Sequence, residues 1–340
     1  MASACRGAAV CVPVRNEAAL LPRLLDSLAA QCAAGEFVLC VLFDGCDDDS
    51  VAIVAARAPS LPFPVVTAQA VAGPPNAGLA RRRAMALGLS VARRDDIMIV
   101  STDADSAPDA DWLATNRSAL EVADVAAGRV VRTGGRASAV QDRVEAYYDA
   151  LFALRRAIDP VPWEAQRTHH YTSGASLALR AGTYRALGGF DPIAAAEDAR
   201  LVDAAHRAGL RVRRDSAIRI RTSARRHGRA AGGLADYLRR LDSGEVSVTM
   251  AHPEDMAWRY ERQAMSRAAW PDLATRGDSL ASALDCDPLH IDRVAAEAAN
   301  AEAFAMRVVP DTAGRERIVP LDQAEAALDR LCDGRWTMAA

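Results

Sequence analysis

Residues 97–105 read IMIVSTDAD, a short apolar run that leads directly into two carboxylates, Asp103 and Asp105. The apolar run indicates a buried strand, and in an open parallel sheet ligands bind beyond the carboxyl ends of the strands. Two carboxylates one residue apart at that point suit a hard divalent cation, and Mg²⁺ or Mn²⁺ held there can bridge the oxygens of a diphosphate. The alternative is a solvated acidic turn, since Asp is common in turns.

Apolar runs and helical patterns alternate in the part of the chain before this stretch. Strands are predicted at residues 8–14, 37–43 and 64–68, and helices at residues 17–30, 50–58 and 79–91. Strands that alternate with helices predict an α/β fold, Rossmann-like, in which a mostly parallel central sheet is flanked by helices. The strands are apolar throughout, as expected when helices cover both faces of the sheet.

The second half of the chain is less regular and ends in helical patterns. Helices are predicted at residues 141–157, 182–187 and 197–208, extended segments at 176–180 and 212–220, and a loop at 225–233. We therefore expect a catalytic domain over residues 1–244 and a helical C-terminal extension over residues 245–340. The extension has no acid pair or Gly-rich loop of its own, so we expect it to pack on the core, shape one side of the site or mediate self-association.

The composition argues against several classes of protein. The chain is 51% apolar and 25% charged with a formal net charge of -3, so no basic field favours nucleic acid. It contains no lysine, which excludes a Schiff-base mechanism on that residue. Seven cysteines without a C-x-x-C pair argue against a disulfide framework and favour a reducing, cytoplasmic location. No apolar run approaches the roughly 20 residues that span a bilayer, so we expect no transmembrane segment and no processive export of a polymer.

Polar residues also follow the first two predicted strands. Asn16 and Glu17 come after the first strand, which ends in Pro13-Val14, and Asp44 comes after the second. These positions matter because the ligand of an open parallel sheet lies at the strand ends. The first strand is not followed by G-x-G-x-x-G, which disfavours an oxidoreductase that binds a dinucleotide.

A second acidic pair, Glu197 and Asp198, begins one of the predicted helices. Acids favour the first turn of a helix because they offset its dipole, and that role alone explains the pair. The functional alternative is that one of the two carboxylates is a general base.

Taken in order, these segments resemble the motifs of family-2 glycosyltransferases of the GT-A fold, over roughly residues 8–225. The residues that carry the resemblance are Val12-Pro13-Val14-Arg15-Asn16-Glu17, Phe43-Asp44-Gly45-Cys46-Asp47-Asp48-Asp49-Ser50, Asn76-Ala77-Gly78 with Arg83, Asp103-Ala104-Asp105, Gly174-Ala175-Ser176, Leu187-Gly188-Gly189-Phe190-Asp191 and Glu197-Asp198. Phe43 departs from the pattern, because the family often has an aspartate there. No single motif is decisive, but the ordered set is specific.

The resemblance implies an enzyme that moves a sugar from a UDP- or GDP-sugar to an acceptor hydroxyl, with Mn²⁺ or Mg²⁺ as cofactor. The donor-binding residues that it implies are Pro13, Asn16, Glu17, Asp44, Arg83, Asp103 and Arg229. The implied metal ligands are Asp103 and Asp105, with His227 of a late basic loop as a further candidate; the alternative for His227 is an exposed loop histidine that binds no ligand. Asp198, with Glu197 beside it, is the implied catalytic base. His169, His170 and Tyr171 are candidates for an acceptor pocket. Inversion is the simpler expectation, although retaining enzymes share several of these motifs, and neither the sugar nor the acceptor follows from the sequence.

Two other classes of protein stay open. A nucleotidyltransferase also combines a nucleotide, a metal and an α/β sheet, but it would normally have a Gly-rich and basic loop after the first strand, which residues 13–17 lack. A catalytically silent nucleotide-sugar-binding protein would be favoured if Asp198 lay far from Asp103 and Asp105.

Overall fold

A central sheet organises the part of the chain that the computed structural model describes, which is residues 7–32, 35–71, 73–226, 228, 234–309 and 317–338. Within those residues the sheet has eight strands: β1 (Ala8–Val14), β2 (Phe37–Asp44), β3 (Val65–Ala70), β4 (Met98–Ser101), β5 (Ser106–Pro108), β6 (Val125–Thr133), β7 (Leu177–Arg180) and β8 (Val212–Ser223). Their spatial order is β3-β2-β1-β4-β7-β6-β8-β5.

The sheet has a parallel half and a mixed half. Strands β3, β2, β1 and β4 are all parallel, as the alternating pattern predicts. Beyond β4 the order changes, because β7 is antiparallel to both β4 and β6, β6 is parallel to β8, and β5 is antiparallel to β8. The predicted α/β class is confirmed; the first half of the sheet is parallel throughout, and the second half mixes one parallel pairing with antiparallel ones.

Helices cover both faces of the sheet. They are α1 (Leu21–Ala29), α2 (Ser50–Arg57), α3 (Ala77–Val91), α4 (Trp112–Val122), α5 (Ala139–Ile158), α6 (Ala181–Ala186) and α7 (Glu197–Arg207). Alternate residues of β1 enter two separate cores, because successive side chains of a strand point to opposite faces. Val10 packs with Leu24 and Trp112 on one face, whereas Cys11 packs with Met85 on the other.

Two local predictions were wrong. Helix α1 begins at Leu21 and not at residue 17, because residues 15–20 form turns in which the Glu17 backbone N–H is bonded to Ser50 Oγ at 2.9 Å. The segment with β5, α4 and β6 was not predicted at all. Helix α4 carries apolar and polar side chains in a weak pattern, and tertiary contacts rather than local periodicity decide its structure.

The C-terminal region is mostly helical, as predicted. Its helices are α8 (Leu234–Asp242), α9 (Pro253–Ala269), α10 (Leu273–Leu284), α11 (Pro288–Glu297), α12 (Ala301–Val308) and α13 (Leu321–Met338). Two short strands, β9 (Thr249–Ala251) and β10 (Ile318–Pro320), form a separate antiparallel pair. Tyr147 and Leu151 of α5 share a core with Tyr260 of α9 and Leu328 of α13. The proposed boundary near residue 244 stays a prediction. No helix in the described ranges is both long and apolar enough to cross a membrane.

Candidate active site

A cleft of about 450 Å³ opens at the carboxyl ends of β1, β2 and β4. Most of the residues singled out in the sequence line it: Pro13, Glu17, Asp44, Asp103, Asp105, Glu197 and Asp198. They come from four separate segments, and the parallel half of the sheet brings the ends of β1, β2 and β4 together at one edge. The cleft is therefore the candidate site, and both acidic pairs belong to it.

Two of the predicted residues, Asn16 and Arg83, do not line this cleft, and two more lie outside the residues that the structure describes. Asn16 shapes the turn after β1: its φ is 54° and its Oδ1 accepts the Asp47 N–H at 2.9 Å. Arg83 stands outside the lining, half exposed, with Nη1 at 3.8 Å from Asp44 Oδ1. His227 and Arg229 lie outside the described residues, so their assigned roles stay predictions.

Asp44 is the last residue of β2 and lines the cleft, and its side chain is nearly buried. Arg15 Nη1 donates to Asp44 Oδ2 at 3.2 Å, and Arg15 Nη2 donates to the carbonyl of Gly73 at 2.8 Å. A carboxylate beside a fixed guanidinium presents an acceptor and donors side by side, which is the pattern that the polar edge of a nucleobase requires. The sequence prediction did not include Arg15, although it stands inside the quoted motif after β1.

Arg81 connects the two acidic pairs from beneath the cleft. Its Nε donates to Glu197 Oε1 at 3.0 Å, its Nη1 donates to Ser101 Oγ and to the Gly174 carbonyl, each at 2.8 Å, and its Nη2 lies 2.9 Å from Asp103 Oδ1. Burial acts to lower the pKa of Arg81, but the charges of Asp103 and then Glu197 outweigh it and raise the pKa. The buried guanidinium thus stays charged and holds both carboxylates.

The structure brings Arg81 into the lining of the cleft, whereas the predicted donor-binding role of Arg83 stays a prediction. The sequence prediction placed Arg83 in the site, whereas Arg81 lies on the buried face of α3 and Arg83 on its exposed side. The signal was present in the helical period, since Arg81 lies three and four residues before the apolar Ala84 and Met85.

Glu197 and Asp198 are adjacent in sequence but lie in different surroundings. Glu197 is nearly buried and its Oε1 is bound to Arg81. Asp198 is partly exposed; its Oδ2 accepts the Gly174 N–H at 2.9 Å and its Oδ1 accepts the Ala199 N–H at 2.8 Å. Ala196, just before them, has φ 64° and ψ 20°, a left-handed conformation that is uncommon for a residue with a Cβ. Such strain is concentrated at functional sites.

Asp103 and Asp105 differ in exposure and in partners. The side chain of Asp103 is 33% exposed, and that of Asp105 is 16% exposed. Burial, and after it the charge of Asp103, raises the pKa of Asp105 to about 6. A divalent cation would offset the repulsion between these hard oxygen ligands, so the pair fits Mn²⁺ or Mg²⁺. Among the described residues no group of three or more His, Cys, Asp or Glu could hold a metal, so further ligands would come from the donor, from water or from the remaining residues.

A second cavity, of about 380 Å³, adjoins the cleft at Val130, which lines both. Tyr171 lines this cavity, and its ring centroid is 4.0 Å from that of His170; its assignment to an acceptor pocket stays a prediction. His169 is fully buried, with Nε2 at 3.1 Å from the Ala127 carbonyl, and burial lowers its pKa to about 3. His169 is therefore a neutral core residue, and of the three predicted residues only Tyr171 faces the cavity.

A sequence profile described as "Glycosyl transferase family 2" matches residues 9–181, which is half of the chain. The chain belongs to glycosyl transferase family 2. The match includes the motif Asp103-Ala104-Asp105, called the D-x-D below, and also Asp44 and Arg81. It ends before Glu197. The family predicted from the motifs is thus confirmed. No curated protein matches this family-2 chain.

Solved structures resemble this family-2 chain in fold. A fragment of S. aureus TarS, residues 1–349, solved in complex with UDP-GlcNAc, has a TM-score of 0.50 and 14% identity, covering 96% of this chain and 92% of the fragment. A longer S. aureus TarS structure has a TM-score of 0.48 and 16% identity, and this chain spans 49% of its length. The mannosyltransferase PcManGT from Pyrobaculum calidifontis, in complex with GDP-Man and Mn²⁺, has a TM-score of 0.46 and 16% identity, covering 90% of this chain and 86% of that one. The GT-A fold is confirmed.

Proposed function

We propose that the chain transfers a sugar from a nucleoside-diphosphate sugar to an acceptor hydroxyl. The observation that carries the proposal is the meeting of two acidic pairs in one cleft: the D-x-D carboxylates and Asp198 both line it. A nucleotide-sugar-binding protein without catalytic activity would need only the part of the cleft that holds the donor. The presence of an accessible carboxylate opposite the D-x-D favours an enzyme.

The donor end of the cleft supports a nucleotide as the leaving group. Asp44 and Arg15 form a paired acceptor and donor in the same cleft as Asp198. Uracil and guanine each present a ring N–H beside a carbonyl oxygen, which matches that pair. We therefore propose a UDP- or GDP-sugar as donor, with Arg83 near the same carboxylate.

The diphosphate of the donor would lie over Asp103 and Asp105. These two residues would hold Mn²⁺ or Mg²⁺, which when bound supplies positive charge to the oxygens of the departing nucleoside diphosphate. The raised pKa of Asp105 is consistent with a carboxylate that gains from a nearby cation. His227 and Arg229, as a further metal ligand and a diphosphate contact, stay predictions.

Asp198 is our candidate for the catalytic base. It would take the proton of the acceptor hydroxyl while the acceptor oxygen forms a bond to the anomeric carbon, and the bond from that carbon to the phosphate oxygen breaks, leaving its electrons on the diphosphate. Attack opposite the leaving group gives inversion. Glu197, which is bound to Arg81, is proposed as a positioning residue and not as the base. The second cavity at Tyr171 is proposed as the acceptor side.

Nucleotide binding with and without metal tests this function. The full chain is heated with a panel of UDP-, GDP- and other nucleotide sugars, with and without Mn²⁺, and unfolding is recorded. A true donor at about 100 times its Kd should add about 2.7 kcal/mol to the free energy of unfolding. Asp105→Ala should remove the Mn²⁺-dependent part of that gain, whereas Asp49→Ala, an exposed acid of the loop after β2, should keep it.

The contrary outcome is equally definite. A chain that no nucleotide sugar stabilises in either condition, or whose stabilisation is the same after Asp105→Ala, is not the metal-dependent enzyme proposed here. Self-association and a cytoplasmic location stay predictions that this experiment does not address.

A further inference from the structure

The guanidinium of Arg225 places a positive charge beside Asp105, the second carboxylate of the D-x-D. It lies just after β8 and lines the cleft. Both terminal nitrogens of its guanidinium pair with Glu17, Nη1 at 2.7 Å from Oε2 and Nη2 with Oε1. The same Nη2 lies 3.2 Å from Asp105 Oδ2. One guanidinium therefore joins the end of β1 to the D-x-D.

Glu17 holds Arg225 in this place. The carboxylate of Glu17 is 7% exposed, and its backbone N–H is bonded to Ser50 Oγ at 2.9 Å, so the residue has little freedom to move. A two-pronged pair between a guanidinium and a carboxylate fixes orientation as well as distance. Arg226 anchors the next position, since it pairs with Asp242 of α8 through Nε at 2.7 Å.

Both carboxylate oxygens of Asp105 have a partner in this structure, one in Thr222 and one in Arg225. Thr222 Oγ1 donates to Oδ1 at 3.2 Å, and Arg225 faces Oδ2 at the same distance. A divalent cation that takes an oxygen of Asp105 meets the positive charge of the guanidinium at close range, and the two cations repel each other.

Arg81 and Arg225 differ in how far they can respond. Arg81, behind Asp103, is 9% exposed and bound on all sides, so it stays in place. Arg225 is 25% exposed and faces the cleft, where the negative diphosphate of a donor would arrive. A diphosphate offers Arg225 charge-assisted hydrogen bonds as an alternative to Asp105.

We propose that Arg225, tethered by Glu17, is a resident cation of the D-x-D site that opposes divalent-metal binding in the nucleotide-free protein and turns to the donor diphosphate when nucleotide and metal bind together. The proposal rests on the function proposed above, since it assigns the metal and the diphosphate to this cleft. Metal and nucleotide then strengthen each other's binding, and the coupling is reciprocal.

The first test is metal binding to the nucleotide-free full chain. Mn²⁺ is titrated into wild type, Arg225→Gln, Arg225→Lys and Arg226→Gln, and free Mn²⁺ is read from its electron paramagnetic resonance signal. Arg225→Gln should bind Mn²⁺ about tenfold more tightly, because a unit charge near the ligand oxygens is gone. Arg225→Lys keeps the charge and should match wild type. Arg226→Gln removes an equal charge from outside the lining of the cleft and should also match wild type.

The second test measures UDP and GDP binding by calorimetry at saturating Mn²⁺. Here Arg225→Gln should bind the nucleotide about tenfold more weakly, since it loses a charge-assisted contact to the diphosphate. The same substitution thus has opposite effects on metal and nucleotide, which a loss of folding cannot produce. Thermal unfolding of each variant confirms that the compared proteins are folded.

Three results would overturn the proposal: an unchanged or weaker Mn²⁺ affinity in Arg225→Gln, an equal gain in Arg226→Gln, or nucleotide binding that Arg225→Gln leaves intact. A wild-type chain that binds Mn²⁺ but neither nucleotide would refute the proposed function and the diphosphate contact. The metal titration would still decide whether Arg225 competes with the cation.

Discussion

Arg81 and the two neighbours Glu197 and Asp198 show how one buried charge assigns roles to the residues around it. The guanidinium takes Oε1 of Glu197 and contacts Asp103, but the oxygens of Asp198 accept backbone N–H groups. Gly174 is required at this point, because a Cβ there would lie 2.2 Å from the guanidinium carbon of Arg81. The ion pairs of Arg81 therefore give the two neighbours different surroundings: Glu197 is buried and bound to the guanidinium, whereas Asp198 stays partly exposed.

At this scale we predict opposite phenotypes for two adjacent substitutions. Asp198→Asn should lower kcat by two or more orders of magnitude with little change in donor KM, because the base is lost and the donor contacts remain. Its free energy of unfolding should fall by no more than about 1 kcal/mol. Glu197→Gln should lower the free energy of unfolding by about 1–3 kcal/mol, because it weakens a buried hydrogen bond to a charged group.

Steady-state kinetics and urea unfolding check both variants, each serving as control for the other. We expect Glu197→Gln to retain kcat within about tenfold of wild type. Full turnover in Asp198→Asn would reduce that residue to a helix-capping group, and a collapse of kcat in Glu197→Gln alone would move the base to Glu197.

At the scale of elements, the start of α3 is fastened to the segment that precedes α7. Asn76 caps α3, its Oδ1 accepting the Leu79 N–H at 2.8 Å, while its Nδ2 donates to the Pro192 carbonyl at 3.1 Å. The Gly78 N–H donates to the Ile193 carbonyl at 2.9 Å. The segment held in this way leads directly to the left-handed residue Ala196, which lines the cleft.

We predict that a methyl group at Gly78 disturbs this junction. A Cβ there would lie 2.1 Å from the Asp191 carbonyl oxygen and 2.7 Å from that of Ile193, so the loop must shift. Gly78→Ala should lower the free energy of unfolding by about 1–3 kcal/mol, as overpacking does, and should also lower kcat. The matched control is Gly277→Ala in α10, where no atom lies within 4 Å of the added Cβ.

Gly277→Ala should raise the free energy of unfolding by about 0.5–1 kcal/mol, since alanine is the better helix former. Urea unfolding of the two variants measures the contrast. If Gly78→Ala were as stable and as active as wild type, the junction between α3 and the α7 segment would have no role in shaping the cleft.

At the scale of the whole molecule, the C-terminal helices complete the fold around α5. Besides the shared apolar core, Arg267 of α9 pairs with Asp159, a buried residue at the end of α5, and its Nη2 lies 2.7 Å from Glu302 of α12. Asn300 Nδ2 donates to the carbonyl of Gly209 at 2.9 Å, which joins α12 to the end of α7. Helix α5 is joined to β6 by the ion pair of Glu145 with Arg132, and α7 carries Glu197 and Asp198 of the cleft.

We therefore predict that a chain truncated after residue 244 loses cooperative unfolding. The cut exposes the face of α5 that carries Tyr147 and Leu151, and it leaves Asp159 without Arg267. Exposing an apolar core to water removes the main contribution to folding free energy, and the net stability of a typical domain is small. Thermal unfolding and size-exclusion chromatography of the truncated chain measure the effect. A soluble, monomeric and fully active product would show that the extension neither supports the core nor shapes the site.

The sequence by itself determined the elements whose signal is local. The apolar runs of β1, β2 and β4 were predicted to within a few residues, because a strand buried on both faces needs side chains of one kind along its whole length. The D-x-D was also predicted to lie at the sheet edge where ligands bind, because the carboxyl ends of parallel strands meet there. Asp198 was assigned to the same site only through the resemblance of the ordered motifs to those of family-2 glycosyltransferases.

Only the tertiary structure decided the partners. Arg81 rather than Arg83 enters the site because α3 turns that face toward β4. The mixed half of the sheet, including β5 and β6, depends on pairings between strands far apart in the chain. Arg225 and Glu17 form their ion pair across 208 residues, and nothing near either residue indicates it. Local patterns depend on a residue's chain neighbours, whereas charge pairing depends on which distant segments the closed fold places within a few ångströms.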